Sequence, residues 1–209
     1  TADTIEDYAF EGCMETDGFF GGTMYHEFSE KAFAGSAFLN LPPHNGLIVK
    51  DGIIFAVDDD ATEISIDEFT DAPHKYTGFY SMPVDLDLKH VKKMTLHHLN
   101  HAESMTVFPE TVVIADESDA TRRRRNYCGV LNDKRIKNFE VKPDSQSFKV
   151  IDGILYSKDG RYLLKCPRGK TGHVSIPEGT KTIGVEAFRE CMISSVSLPD
   201  SLTEFNGTA

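Results

Sequence analysis

The chain has 209 residues, 40 % hydrophobic and 26 % charged, which places it in the ordinary globular range with room for one large domain or two small ones. Its 33 acidic and 22 basic side chains give a formal charge of -11, which repels phosphate backbones and anionic lipid and argues against a nucleic-acid partner. No run approaches the roughly 18 consecutive apolar residues of a membrane span, so no membrane insertion is expected. No basic-then-apolar signal segment opens the chain, so any export signal lies outside this sequence.

In chain order, the first recognisable element is Ile5-Glu-Asp-Tyr-Ala-Phe-Glu-Gly-Cys13, which returns as Phe28-Ser-Glu-Lys-Ala-Phe-Ala-Gly-Ser36. The two are offset by 23 positions, and a third copy stands far downstream as Ile183-Gly-Val-Glu-Ala-Phe-Arg-Glu-Cys191. Each reads apolar-x-x-x-Ala-Phe-x-x-small, which predicts one short turn placing Phe10, Phe33 and Phe188 in successive core layers. A period of roughly 20–29 residues is that of leucine-rich repeats.

Short stretches of period-two alternation follow, each predicting a strand with one inward and one outward face. They are Leu39-Asn-Leu41-Pro42, Ile64-Ser-Ile66, Val91 to Leu96, Ile136 to Val141, Val174-Ser-Ile176-Pro177 and Ile193 to Pro199, with Met105 to Pro109 a blurred copy. A trailing proline ends such a strand because it has no N–H for the ladder. A third element occurs twice, as Val49-Lys-Asp-Gly-Ile-Ile-Phe55 and Val150-Ile-Asp-Gly-Ile-Leu-Tyr156. The second runs into Asp159-Gly160 between apolar runs, a hairpin signal. The first is expected to turn through Asp58-Asp-Asp60. Between about Thr70 and Arg135 the copies blur and no Ala-Phe turn is visible, so this stretch reads as degenerate repeats or a departure from the repeat pattern.

Few residue groups point to chemistry. On a helix, His97 and His101 would share a face and could ligate a metal, but a strand over Met94–Leu96 puts them in or near a loop beside His90 and His98, with no carboxylate between His90 and His101. The loop reading is the expectation, and no metal or cofactor is expected. Arg122–Arg125, preceded by Asp116-Glu-Ser-Asp119, reads as a solvated loop or as a dock for an acidic partner. Asp58–Asp60 with Glu63 fits no EF-hand spacing and reads as a turn. Cys13 and Cys191 fill the slot that Ser36 fills in the second copy, so they read as small packing residues. A bond between those two is not expected, while a Cys128–Cys166 pair stays open. Gly-x-Ser-x-Gly, His-Glu-x-x-His and phosphate-binding glycine loops are absent, and no catalytic residue is assigned.

The string Phe148-Lys-Val-Ile-Asp-Gly-Ile-Leu-Tyr-Ser-Lys-Asp-Gly-Arg-Tyr-Leu-Leu-Lys-Cys-Pro167 resembles the hairpin segment of BspA-type leucine-rich-repeat proteins. Ile176 to Cys191, followed by Val196-Ser-Leu-Pro-Asp-Ser-Leu202, resembles that family's repeat almost position for position. The resemblance implies a secreted or cell-surface bacterial protein that adheres to host proteins or neighbouring cells, with no shared catalytic residues. The expected fold is a single leucine-rich-repeat domain over 1–209, a right-handed α/β horseshoe solenoid, strand-rich, with short helical turns and two β-hairpin insertions. Outward strand positions then line a binding face, and Lys93, Thr95, His97, Asn138, Glu140, Ser195 and Ser197 are its candidates. The expected function is non-catalytic recognition of a protein or glycan. The alternatives are a spacer that presents a neighbouring domain, or an enzyme using the irregular middle.

Overall fold

The structure is a computed structural model that describes residues 4–14, 28–50, 53–66, 83, 85–97, 108–115 and 131–207. Its N-terminal part is built on phenylalanine. Two 3-10 turns, Glu30–Phe33 and Ala37–Asn40, place Phe33 and Phe38 inside. The first Ala-Phe segment stacks on the second: the Phe10 N–H donates to Ala32 O at 2.8 Å, and the Phe10 and Phe33 rings lie parallel at 5.0 Å. Successive layering thus holds for Phe10 and Phe33, whereas Phe188 packs in a separate C-terminal cluster.

The strand expected at Leu39–Leu41 is the second of these 3-10 turns instead. Phe38 is drawn into the aromatic cluster, the Leu41 N–H closes onto Phe38 O, and Pro42 and Pro43 offer no N–H to a sheet. Ser36 sits buried at the small position of this repeat, and its Oγ has no partner among the described residues. Ser36→Ala should therefore hold or raise stability by up to about 1 kcal/mol in urea unfolding, since it removes an unpaired buried hydroxyl. A loss above that size would show that the hydroxyl is bonded in solution.

Strands β1 (Leu47–Lys50) and β2 (Ile53–Val57) pair antiparallel as a hairpin. The turn expected at Asp58–Asp60 is present, but it follows the hairpin rather than closing it. The Asp58 carbonyl accepts from the Ala61 N–H and turns the chain out of the hairpin into β3 (Glu63–Ile66). β2 is buried on both faces: Ile53 and Phe55 enter the phenylalanine cluster, and Ile54 and Val57 the central core. That double burial is why its sequence is a continuous apolar run.

β3, β4 (Lys93–Leu96), β5 (Thr111–Ile114) and β6 (Asn138–Val141) form one parallel sheet with no break in register. Ile64, Met94, Val112 and Phe139 align across it and point into the central core. The middle of the chain, which reads as irregular in sequence, thus supplies two strands of the most regular sheet. β5 is not the blurred Met105–Pro109 copy but the apolar run just after it, and residues 105–107 lie outside the described residues.

Beyond β6 come β7 (Phe148–Ile151), β8 (Ile154–Ser157) and β9 (Tyr162–Lys165), an antiparallel meander rather than a single hairpin. Asp152 and Gly153 both have positive φ, 49° and 71°, as a tight two-residue turn between twisted strands demands. The second turn is the expected one at Asp159-Gly160. The Ser157 hydroxyl and the Arg161 N–H both donate to the Asp159 carboxylate and hold it below the usual carboxylate range. Last come β10 (Gly172–Ser175), β11 (Thr182–Ile183), β12 (Ile193–Ser197) and β13 (Glu204–Phe205). β12 pairs parallel to β10, and β11 and β13 extend the meander sheet from β9. A step of 22 residues recurs in the bonds here, as between Gly179 and Ser201, Glu178 and Asp200, or Lys181 and Thr203. The architecture is a strand-rich repeat fold with short 3-10 turns.

Candidate ligand-binding face

In the parallel sheet, residues that alternate with the core positions form two outward rows. Glu63, Lys93, Thr111 and Asn138 align in one, and Ser65, Thr95, Val113 and Glu140 in the next. Strand spacing sets neighbours in a row about 4.8 Å apart. Lys93 Nζ donates to Glu140 Oε2 at 2.7 Å, reaching over β5 from one row to the other. That hydrogen bond to the Glu140 carboxylate holds the Lys93 ammonium above its ordinary value. Val113, which lies between the two strands, is only 8 % exposed despite facing outward. His97 continues the outward alternation one step past β4, with its N–H donating to Ile66 O at 3.1 Å, and is half-buried.

Ser195 and Ser197 are exposed on β12, in a different sheet. Their neighbours on β10 are His173 and Ser175. His173 Nδ1 lies 2.8 Å from Ser195 Oγ, and its Nε2 lies 3.2 Å from Ser175 Oγ and 3.1 Å from Ser197 Oγ. The seven candidates therefore fall into two patches, with Lys93, Thr95, His97, Asn138 and Glu140 in one and Ser195 and Ser197 in the other. Between the patches stands the Asp152-Gly153 turn. Gly153 O accepts from the Phe139 N–H at 2.9 Å, and Lys170 Nζ donates to Asp152 O at 2.7 Å, so the turn occupies the place beside β6 where the next strand would lie.

Sequence reasoning missed Glu63, Ser65, Thr111, Val113, His173 and Ser175. The alternation that marked Lys93 and Thr95 was available for Glu63 and Ser65 around Ile64 and Ile66, and for Ser175 beside Val174 and Ile176. Elsewhere, an open cleft of about 380 Å³ lies along the meander, lined by Ser157, Asp159, Arg161, Tyr162, Lys181 and Thr182. Among the described residues, no group of three or more His, Cys, Asp or Glu side chains converges as a metal site would require, and no helix is long and apolar enough to cross a membrane. His98, His101, Asp116–Asp119, Arg122–Arg125 and Cys128 lie outside the described residues.

Residues 166–209 match the family described as "BspA type Leucine rich repeat region (6 copies)". Among solved structures, the chain is similar to a leucine-rich repeat protein from Eubacterium ventriosum ATCC 27560, at 15 % identity and a TM-score of 0.40, over 72 % of this chain and 45 % of that one. It is also similar to the pneumococcal vaccine antigen PcpA, at 15 % identity and a TM-score of 0.36, over 98 % of this chain and 45 % of that one. The chain thus spans less than half the length of either protein, and at these similarities nothing is carried over from them. No curated protein matches the sequence.

Proposed function

From the BspA-type leucine-rich repeats that residues 166–209 carry, we propose that the chain is a non-catalytic recognition module of a secreted or cell-surface bacterial protein. In this reading residues 1–209 are one repeat domain, wound as a right-handed horseshoe, and the outward rows contact a protein or glycan on a host or neighbouring cell. The observation that carries it is the pair of outward-facing rows on four consecutive parallel strands, where Lys93 and Glu140 are held in fixed geometry over β5. Stacked repeats turn such positions into a broad, shallow surface, which suits a macromolecular ligand better than a small substrate.

The test is a binding screen of the chain against immobilised extracellular-matrix proteins and glycans, repeated with Lys93→Ala/Glu140→Ala. At least one ligand should bind, with affinity at least 10-fold weaker in the double variant. The ion pair is partly exposed, at 32 % and 48 %, so its removal should cost no more than about 1 kcal/mol of stability and leave the fold intact. Full affinity in the folded double variant would sink this choice of face. Failure of every ligand to bind would favour a spacer that only presents another domain.

A further inference from the structure

The C-terminal repeats bring together two cysteines that the sequence reading did not pair. Cys166 follows β9 and is completely buried, its N–H donating to Ala187 O at 2.8 Å. Cys191 ends the Ala-Phe turn of the next unit and is half-buried. The Cys191 thiol donates to Cys166 O at 3.5 Å, and the Cys166 thiol donates to Pro167 O at 3.7 Å. Both are free, and both belong to one apolar cluster with Leu163, Val174 and Ile183.

We propose that Cys166 and Cys191 are a disulfide-forming pair, closed by thiol–disulfide exchange with a small-molecule disulfide when the protein enters an oxidising compartment. Cys191 Sγ stands 3.5 Å from the Cys166 carbonyl, and backbone bonds to Ala187 and Phe188 anchor the two segments, so side-chain rotation can bring the sulfurs toward the S–S distance of about 2.05 Å. The chemistry has a direction. The neighbouring Cys166 side chain pulls the Cys191 thiol below its ordinary value, and the charges of Lys165 and Arg168 add to this, while Cys191 and burial push Cys166 up. Cys191 is also the more accessible of the two, so its thiolate attacks the reagent and releases one thiolate leaving group. Cys166 then gives up its proton, attacks the Cys191 sulfur and expels the second. Two protein thiols are oxidised to one disulfide, and one reagent disulfide is reduced to two thiols.

Such a link would clamp the turn after β9 to the Ala-Phe turn and enclose β10 and β11. It does not depend on the recognition reading above.

The test is to hold the purified chain in oxidised glutathione, alkylate the remaining thiols, and digest with trypsin without reduction. Peptide 166–168 should be recovered joined to the peptide that begins at Glu190. The melting temperature should rise by roughly 5–10 °C, reversed by dithiothreitol and absent in Cys191→Ser. That variant is conservative, because Ser36 fills the same repeat position. Cys166→Ala removes the link from the other side should Cys191→Ser fold poorly. Three results would overturn the proposal: both cysteines still alkylated, Cys166 linked to Cys128, or a lasting glutathione adduct on Cys191.

Discussion

Phe33→Ala is expected to lower stability by about 4–5 kcal/mol, the largest effect of any single truncation considered. Phe33 is fully buried and meets four other phenylalanine rings. It stacks on Phe10 at 5.0 Å and makes edge contacts with Phe28 and Phe38 at 5.5 Å and with Phe55 at 4.8 Å. Truncating a buried phenylalanine costs about 3–5 kcal/mol in lost transfer energy and residual cavity, and each aromatic pair adds roughly 0.5–1.5 kcal/mol, not additively. The site cannot collapse to fill the void. Phe10 is fixed by its backbone bond to Ala32, Phe55 by the hairpin, and Phe38 by its own 3-10 turn. At about 2–4 °C per kcal/mol, circular dichroism should show a fall of roughly 10 °C or more in melting temperature. A loss under 1 kcal/mol would mean that the five rings do not pack as one cluster.

Gly169→Ala should cost about 2–3 kcal/mol, for a different reason. Gly169 has an ordinary φ, so the cost is space and not conformation. Its N–H donates to Ile136 O at 2.8 Å, and a Cβ would stand 2.8 Å from that same oxygen and closer still to Lys134 O. Both are backbone atoms and cannot rotate away, so the turn leading into β10 must lift off the segment that leads into β6. Gly160→Ala is the control. There a Cβ would meet only the end of the Lys149 side chain, which can move, and the positive φ of 75° alone should cost about 1 kcal/mol. Chemical denaturation of the two variants side by side reads the difference. Equal losses would remove the close-approach argument.

Much of the fold was legible because repeats write the same physical requirement many times. The strand at Met94–Leu96 and those around Phe139, Val174 and Val196 follow from alternation, and the Asp159-Gly160 turn from residues that accept positive φ. Alternation failed at Leu39–Leu41, where the pull of Phe38 into an aromatic cluster outweighed a two-residue pattern. It failed again at β5, because Val112, Val113 and Ile114 are all buried and leave no polar partner to mark the period. The middle units looked irregular for a simpler reason. Their strands begin at Glu63, Lys93, Thr111 and Asn138, at uneven steps along the chain, yet pair in perfect register. Connection length hides a period that the sheet does not need. The candidate face was half legible for the same cause. Outward positions could be named on strands already found, but their division by the Asp152-Gly153 turn depends on a tertiary contact with Phe139.

The recurring 22-residue step in the C-terminal region has a consequence for how such a protein can change over generations. A strand there takes its partners from the unit immediately before it, as Ser195 does from His173 and Glu204 from Thr182. Duplicating or deleting one whole unit would leave the other joints intact and shift the length of the wall by a single strand spacing, about 4.8 Å. Gene slippage in multiples of a unit is therefore structurally cheap, while an insertion of any other length falls on a loop or breaks a joint. Variation in reach, at constant architecture, is the kind of diversity this design admits most readily.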